Sequence, residues 1–491
     1  MNYRYFADPL RRCGMALAPE SVDRGVPRRG TTGAGRGSRH VWACSGTLGN
    51  TITEVYAMAD AALRLTALAE ELLGEPVPVR IRAWDGSESG PPGAPVLVVR
   101  NRRALRRLLW KPGELGLARA WVAGELDIEG DLYETLDRMA GLLWERGADA
   151  KDTVHPIRDP KVRAAARGLL QLAGPWPPPP PPHEEVRRRT GPLHTRRRDK
   201  EAISHHYDVG NDFYELVLGP SMVYSCAYWE DGGSLEDAQR DKLDLVCRKL
   251  ALKEGDRLLD VGCGWGSMAM HAAREYGAQV TGVTLSTEQA AFARKRIAEE
   301  GLTDRIEIRV QDYRDVRDGP YDAISSIGMA EHVGSVRYRE YADSLYALLR
   351  PGGRLLNHQI ARRPEKDESA YHVDEFIDAY VFPDGELAPV GRTVATLEEA
   401  GFEARDVESI REHYALTLRR WVANLEKHWD RAVTMTSPGR ARVWRLYMAA
   451  SALSFEHNKI GVNQILVVRP MEGGASRMPL RAREWKASAA D

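Results

Sequence analysis

Apolar residues recur at helical spacing from Asp60 to Leu73, through Ala62, Leu63, Leu65, Leu68, Leu72 and Leu73, and Gly74 ends the pattern. Val77–Trp84 and Val96–Arg100 alternate or run apolar as strands do, with the turn-forming DGSESGPPG between them. LRRLLW, GELGLARAWVAGEL and YETLDRMAGLLW follow as three further amphipathic or apolar pieces. A small α+β domain over residues 55–172 is predicted. From Leu245 the pattern becomes strand, glycine-rich turn, helix, strand, helix: RLLDVG, SMAMHAAREYG, QVTGVTL, STEQAAFARKRIAEEG, then the strand IEIRVQD. Ser286 and Gln289 have capping-box spacing. YDAISSIG, a helix through YADSLYALL, the turn RPGG and the strand RLLNHQI continue the series. Such alternation predicts an α/β domain with a doubly wound parallel sheet, placed at residues 201–472.

The two domains are separated over 173–200 by GPWPPPPPPH, a polyproline II spacer, and the charge run EEVRRRTGPLHTRRRDK. The arginines read either as a solvated linker or as a patch for anionic phospholipid head groups. Residues 1–54, rich in Gly, Arg and Ser, lack periodicity and are predicted disordered. A start assigned too early, with Met58 or a near neighbour as the real one, accounts for them equally. Residues 473–491 read as a flexible tail.

Composition narrows the classes. The 491 residues exceed what one hydrophobic core of roughly 250–300 residues organises. With 69 basic and 70 acidic residues the net charge is -1, which removes any whole-chain case for nucleic-acid binding. Five cysteines, an odd number without zinc-site or secreted-scaffold spacing, fit a reducing cytoplasm. His205, His206 and Asp208 have no third ligand at suitable spacing, so no metal is predicted. No run of about 18 apolar residues is present, which predicts a protein that is soluble or lies on a membrane surface.

Asp260-Val-Gly-Cys-Gly-Trp-Gly266 stands where the first strand of the second domain meets its helix. Gly262, Gly264 and Gly266 permit a tight bend and close approach of backbone to a ligand. A nicotinamide loop or a bare structural turn are the rivals. The acid before the first glycine and the third glycine one residue early both match the E/D-x-G-x-G-x-G motif of S-adenosylmethionine-dependent methyltransferases. In that motif the acid lies against the amino-acid end of the cofactor. After the second strand, where such enzymes place Asp or Glu for the ribose, this chain has Thr284-Leu285-Ser-Thr-Glu-Gln289, so Thr284 or Gln289 takes that contact. Asp312 and Tyr313 are placed to flank the adenine.

The T-L-S-x-x-Q departure is shared with the cyclopropane-fatty-acyl-phospholipid and mycolic acid cyclopropane synthases. The chain resembles that family from about Ala202 to Pro470. The resemblance is carried by HYDVGNDFY, MVYSCAYW, LLDVGCGWGS, GVTLS, SIGMAEHVG, PGGRLLNH, YVFPDGELAP and HYALTLRRW in order. It implies a class I methyltransferase with a Rossmann-like sheet. Residues 55–170 resemble, less closely, the N-terminal domain of members that act on intact phospholipid. The implied reaction is methyl transfer to the cis double bond of an unsaturated phospholipid or other acyl lipid at the membrane surface, closing a cyclopropane ring. The implied setting is the inner face of the membrane, with a homodimer as a possible assembly.

An isolated alkene is a poor nucleophile, and its methylation leaves a carbocation, so the site must be dry and must hold a base near the added methyl group. The resemblance implies a bound bicarbonate as that base. It assigns the backbone of Cys226, Glu331, His358, the backbone of Ile360 and Tyr414 to the anion, with Tyr224 and Ser225 beside the cofactor. HYDVGNDFY reads as a lid in which Tyr207 touches the cofactor and Asn211, Asp212, Phe213 and Tyr214 shield the reacting groups. Tyr228, Trp229, Phe382 and Trp421 are candidates for an aromatic wall around the cation. Taken singly, Cys226 reads as a small buried apolar residue, Glu331 as a helix cap, and His358 and Tyr414 as core. Three rivals remain: a hydride shift giving a methylene-branched chain of the 10-methyl type, an inactive lipid-binding homologue, and methylation of a small molecule on nitrogen or oxygen.

Overall fold

The structure, a computed structural model, describes residues 60–111, 113–144, 160–174, 176–186, 195, 196, 198, 209–368, 371, 373–481 and 483. Residues 1–54, Tyr207 and most of the basic segment after the prolines lie outside them. The chain forms two compact units, one within residues 5–120 and 125–179, the other of 121–124 and 180–491.

In the first unit α1 (Ala61–Leu73) ends at Gly74 in the left-handed conformation. β1 (Arg80–Arg82), β2 (Glu88–Ser89), β3 (Val96–Val99), α2 (Arg103–Trp110), α3 (Glu114–Val122), β4 (Leu126–Glu129), α4 (Leu132–Trp144) and α5 (Pro160–Ala173) follow. The sheet order is β2-β1-β3-β4. The segment expected only to turn contains β2, which pairs antiparallel with β1, and the end of GELGLARAWVAGEL turns at Gly124 and enters β4. Ala62, Leu65 and Leu68 of α1 pack with Val79, Ile81, Val99, Leu105 and Leu172.

The second unit begins with α6 (Asn211–Leu218) and α7 (Leu235–Leu250). Five parallel strands follow with their helices: β5 (Arg257–Val261), α8 (Ser267–Tyr276), β6 (Gln279–Thr284), α9 (Thr287–Glu299), β7 (Ile306–Val310), β8 (Tyr321–Ile327), α10 (Tyr338–Leu348) and β9 (Leu349–Arg362). Then come α11 (Glu375–Tyr380), α12 (Val390–Glu399), β10 (Glu403–Ser409), α13 (Arg411–Lys427), α14 (Trp429–Met435), α15 (Pro438–Glu456) and β11 (Ile460–Val468). The seven strands run β10-β11-β9-β8-β5-β6-β7, and β11 is antiparallel to both β9 and β10. The doubly wound sheet is therefore as expected, with an antiparallel pair closing one side.

Strand alternation splits the core. Leu258, Ala323 and Leu356 face α7, α8 and α9, whereas their neighbours Leu259, Ile324 and Leu355 face α10 and α12. Burying both faces is what near-continuous apolar strands of a parallel sheet require. Among the described residues no helix is long and apolar enough to cross a membrane.

Candidate functional site

The glycine loop leaves β5 tied to β6, with the N–H groups of Gly262 and Cys263 both donating to the Val283 carbonyl at 2.9 and 3.1 Å. Gly264 has φ 54°, and a Cβ there would enter open space with Gln289 Nε2 as the nearest atom at 3.9 Å. Backbone can therefore approach a ligand at that point. Gly266 serves packing: a Cβ would come 3.1 Å from Ala293 Cβ on α9, and it does not line the cavity over the loop.

That cavity, about 1170 Å³, lies at the carboxyl ends of the parallel strands, where open α/β sheets bind ligands. Tyr224, Ser225, Asp260, Gly262, Gly264, Thr284, Leu285, Gln289, Asp312 and Tyr313 all line it. Asp260 Oδ1 accepts from Ser325 Oγ at 2.7 Å, and Oδ2 is buried without a partner. Burial pushes its carboxyl up to about 6, against the opposing pull of Ser325 and Lys242. The capping box is half built. Ser286 Oγ accepts from Gln289 N–H at 3.2 Å, but the Gln289 side chain turns instead to Thr284, whose hydroxyl donates to Oε1 at 3.1 Å. Gln289 is thus held toward the cavity. Burial raises the Asp312 carboxyl, but two bonds from the Arg314 side chain (2.8 and 2.6 Å) outweigh it, leaving the group below its ordinary value.

A second cavity, about 930 Å³, shares Tyr224, Gly328 and His332 with the first. Glu331, Ile360 and Tyr414 line it, with Tyr371, Phe382, Tyr447 and Phe455 among apolar neighbours such as Leu387, Leu418 and Ile460. Glu331 sits on a short 3₁₀ turn, Ala330–His332, just beyond β8. Its Oε1 accepts from Ile360 N–H at 2.8 Å, while Oε2 is shut away from solvent without a partner. Desolvation pushes the carboxyl up to about 7.

The folded state then binds a proton on Glu331 between its unfolded value of 4.5 and about 7, so stability falls as pH rises through that window. Thermal scans of the ligand-free protein should show the loss, on the order of 3 kcal/mol, and Glu331→Gln should remove most of it. Parallel pH profiles for the two proteins would refute the buried carboxyl.

His358 on β9 lies opposite Gln464 of β11 and Ile327 of β8 and is buried outside both linings. Desolvation, then the charges of Lys242 and Lys249, depress it well below the usual histidine range, so it is neutral. Gln464 Nε2 stands 3.4 Å from Nδ1, and Nε2 is buried without a partner. Cys226 is also buried outside both linings. Its thiol donates to the carbonyls of Ala227 (3.2 Å) and Ile410 (3.6 Å), and burial holds its pKa far above neutrality, which leaves it unreactive. Tyr414 on α13 packs 4.7 Å from the Phe455 ring.

Several expected shields stand elsewhere. Phe213 and Tyr214 line neither cavity, because both are buried against Trp444 at 5.5 and 5.3 Å, and Tyr214 backs Tyr224 at 5.6 Å. Asn211 Oδ1 accepts from Trp265 Nε1 at 2.8 Å, which ties α6 to the glycine loop. Tyr228 stacks on His413, Trp229 donates to Thr417, and Trp421 lies behind Tyr224, so Phe382 alone of the four aromatic candidates lines the second cavity. In the basic segment Arg196 meets Asp315 at 2.8 Å and Arg198 meets Asp384 at 2.6 Å.

Tyr371, Tyr447 and Phe455 were not singled out from the sequence, and neither was Lys242. Lys242 lines the first cavity and donates to Ser225 Oγ at 2.9 Å. Its place in the charged helix LEDAQRDKLDLVCRKL gave no sign of burial.

The sheet, the glycine loop and the cavity above it define an S-adenosylmethionine-dependent methyltransferase. Residues 194–465 match the family described as "Mycolic acid cyclopropane synthetase", and the chain belongs to that cyclopropane synthase family. It is 44% identical over 410 residues to a probable fatty acid methyltransferase of Mycobacterium tuberculosis, covering 82% of this chain and 94% of the relative. It is 39% identical over 269 residues to the cyclopropane-fatty-acyl-phospholipid synthase of Escherichia coli, covering 55% and 68%. The crystal structure of mycolic acid cyclopropane synthase CmaA1 complexed with SAH and CTAB superposes with TM-score 0.52 at 32% identity, covering 55% of this chain and 97% of that one.

Proposed function

We propose that the protein transfers a methyl group from S-adenosylmethionine to the cis double bond of an unsaturated phospholipid acyl chain and closes a cyclopropane ring. The observation that carries this is the common wall of Tyr224, Gly328 and His332, which joins the cavity above the glycine loop to a more apolar one containing Glu331. Bound donor supplies an electrophilic methyl group. Asp260, Gly264, Thr284, Gln289, Asp312 and Tyr313 would hold it, with Asp260 Oδ2 waiting for a cation.

The apolar wall would exclude water while a carbon–carbon bond forms between one alkene carbon and the methyl group as the methyl's bond to the donor's sulfur breaks, the donor leaving as a neutral thioether and the positive charge passing to the other alkene carbon. The faces of Tyr224, Tyr447 and Phe382 suit that charge, at about 0.5–2 kcal/mol each for a desolvated cation. Loss of a proton from the added methyl group then closes the ring. Bicarbonate fits as the base. Glu331 Oε2, buried and unpartnered in the lining of the second cavity, would accept from the bicarbonate hydroxyl and orient it, whereas His358, whose Nε2 is also unpartnered, lies outside that lining. Ile360 acts through Glu331, since its N–H already holds Oε1. The reading places the protein in the cytoplasm, meeting lipid at the inner face of the membrane.

A second reading has its own support. The relative matched over 82% of the chain is named a fatty acid methyltransferase, and a tuberculostearic acid methyltransferase matches over 84% at 31% identity. In that reading a hydride shifts before proton loss, giving a methylene branch. Purified protein, mono-unsaturated phospholipid and donor should yield a cyclopropane ester on gas chromatography and mass spectrometry. A methylene-branched ester without a ring would establish the second reading, and no gain of one carbon would defeat both.

A further inference from the structure

We infer that Lys242 binds the carboxylate at the amino-acid end of the donor, opposite Asp260, in a cradle built for a zwitterion; this rests on reading the first cavity as the donor site. Lys242 is 1% exposed, and lysine is almost never buried so fully without a charged partner. Its ammonium has three hydrogens to donate. One goes to Ser225 Oγ at 2.9 Å, and among the described residues no carboxylate lies within ion-pair distance of the other two. The titratable groups that interact electrostatically with it are Cys226, Asp260, Cys247, His358 and His271; burial holds both thiols neutral and keeps the two imidazoles below their ordinary value.

Asp260 presents the complementary vacancy in the same lining. It is 2% exposed, Ser325 takes one oxygen, and the other has no partner. A buried cation and a buried carboxylate oxygen, each incompletely satisfied and each facing one cavity, are costly unless a ligand completes them. The amino-acid end of S-adenosylmethionine carries an ammonium and a carboxylate on one carbon, which answers both. Thr284 ends β6, Gln289 opens the helix after it and Asp312 follows β7, toward the sheet edge, leaving the β5 side of the cavity for this end. Ser225, held by Lys242, fixes the Tyr224–Ser225 wall beside it.

Calorimetric titration tests the assignment with S-adenosylhomocysteine and its decarboxylated analogue, S-adenosyl-3-thiopropylamine. Wild-type protein should bind the analogue about 10- to 100-fold more weakly, the scale of one charge-assisted hydrogen bond. Lys242→Met should weaken S-adenosylhomocysteine by a similar factor and leave the analogue unchanged. Equal wild-type affinity for the two ligands would overturn the assignment even if Lys242→Met does not fold. Equal weakening of both ligands in Lys242→Met would do so too. Failure of wild-type protein to bind S-adenosylhomocysteine at all would instead remove the donor reading beneath it.

Discussion

Glu331→Gln should lower methyl transfer to unsaturated phospholipid by about 10³-fold while changing S-adenosylhomocysteine affinity by no more than about twofold. The split follows from position. Glu331 lines the apolar cavity but not the one above the glycine loop. Gln keeps the size and the acceptor for Ile360 N–H, so the turn after β8 survives. What is lost is a carboxyl that exchanges a proton near neutrality, where burial has set it at about 7. Radiolabelled transfer from donor to lipid, read beside calorimetric binding, measures both quantities. Turnover within about tenfold of wild type would remove Glu331 from the proton path, and loss of binding in step with turnover would make its role architectural.

The second large effect is on the donor. Gly264→Val should weaken S-adenosylhomocysteine by more than about 100-fold, because a branched side chain held at φ 54° projects into the space the backbone leaves for the ligand. The cost to the fold is smaller, about 1–3 kcal/mol for a non-glycine residue in the left-handed region. Apart from its chain neighbours, the nearest atom to the new Cβ is Gln289 Nε2 at 3.9 Å. Binding and thermal melting separate the two, and unimpaired binding by a folded variant would place the donor elsewhere.

The donor half of this site was legible in the sequence because its parts are local. A strand, a glycine turn and a helix follow one another directly; Asp260, Thr284 and Asp312 stand at or just after the end of a parallel strand, and Gln289 in the first turn of the helix after β6. Gly266 shows the limit of a spacing argument. Its position in the motif is right, but only the packed helix reveals that the absent side chain makes room for Ala293. The apolar cavity was legible only through family resemblance, since Tyr371, Tyr447 and Phe455 come from different elements and no period distinguishes a cavity wall from a core. Phe213 and Tyr214 erred the other way: aromatic residues in a presumed lid are core against Trp444. Lys242 was hidden because a charged residue in a charged helix reads as solvated until the sheet packed against it is seen. The antiparallel β10–β11 pair escaped because alternation of strands and helices does not report strand direction.

The common wall also bears on how such a protein changes over generations. The donor cavity is made by strand ends and the turns that follow them, whereas much of the apolar cavity is made by α11, α13 and α15. Substitutions at Ile377, Leu418, Ser451 or Phe455 reshape the second space without touching the first. Substrate preference is therefore free to drift while the donor site stays fixed, and only Tyr224, Gly328 and His332 must answer to both.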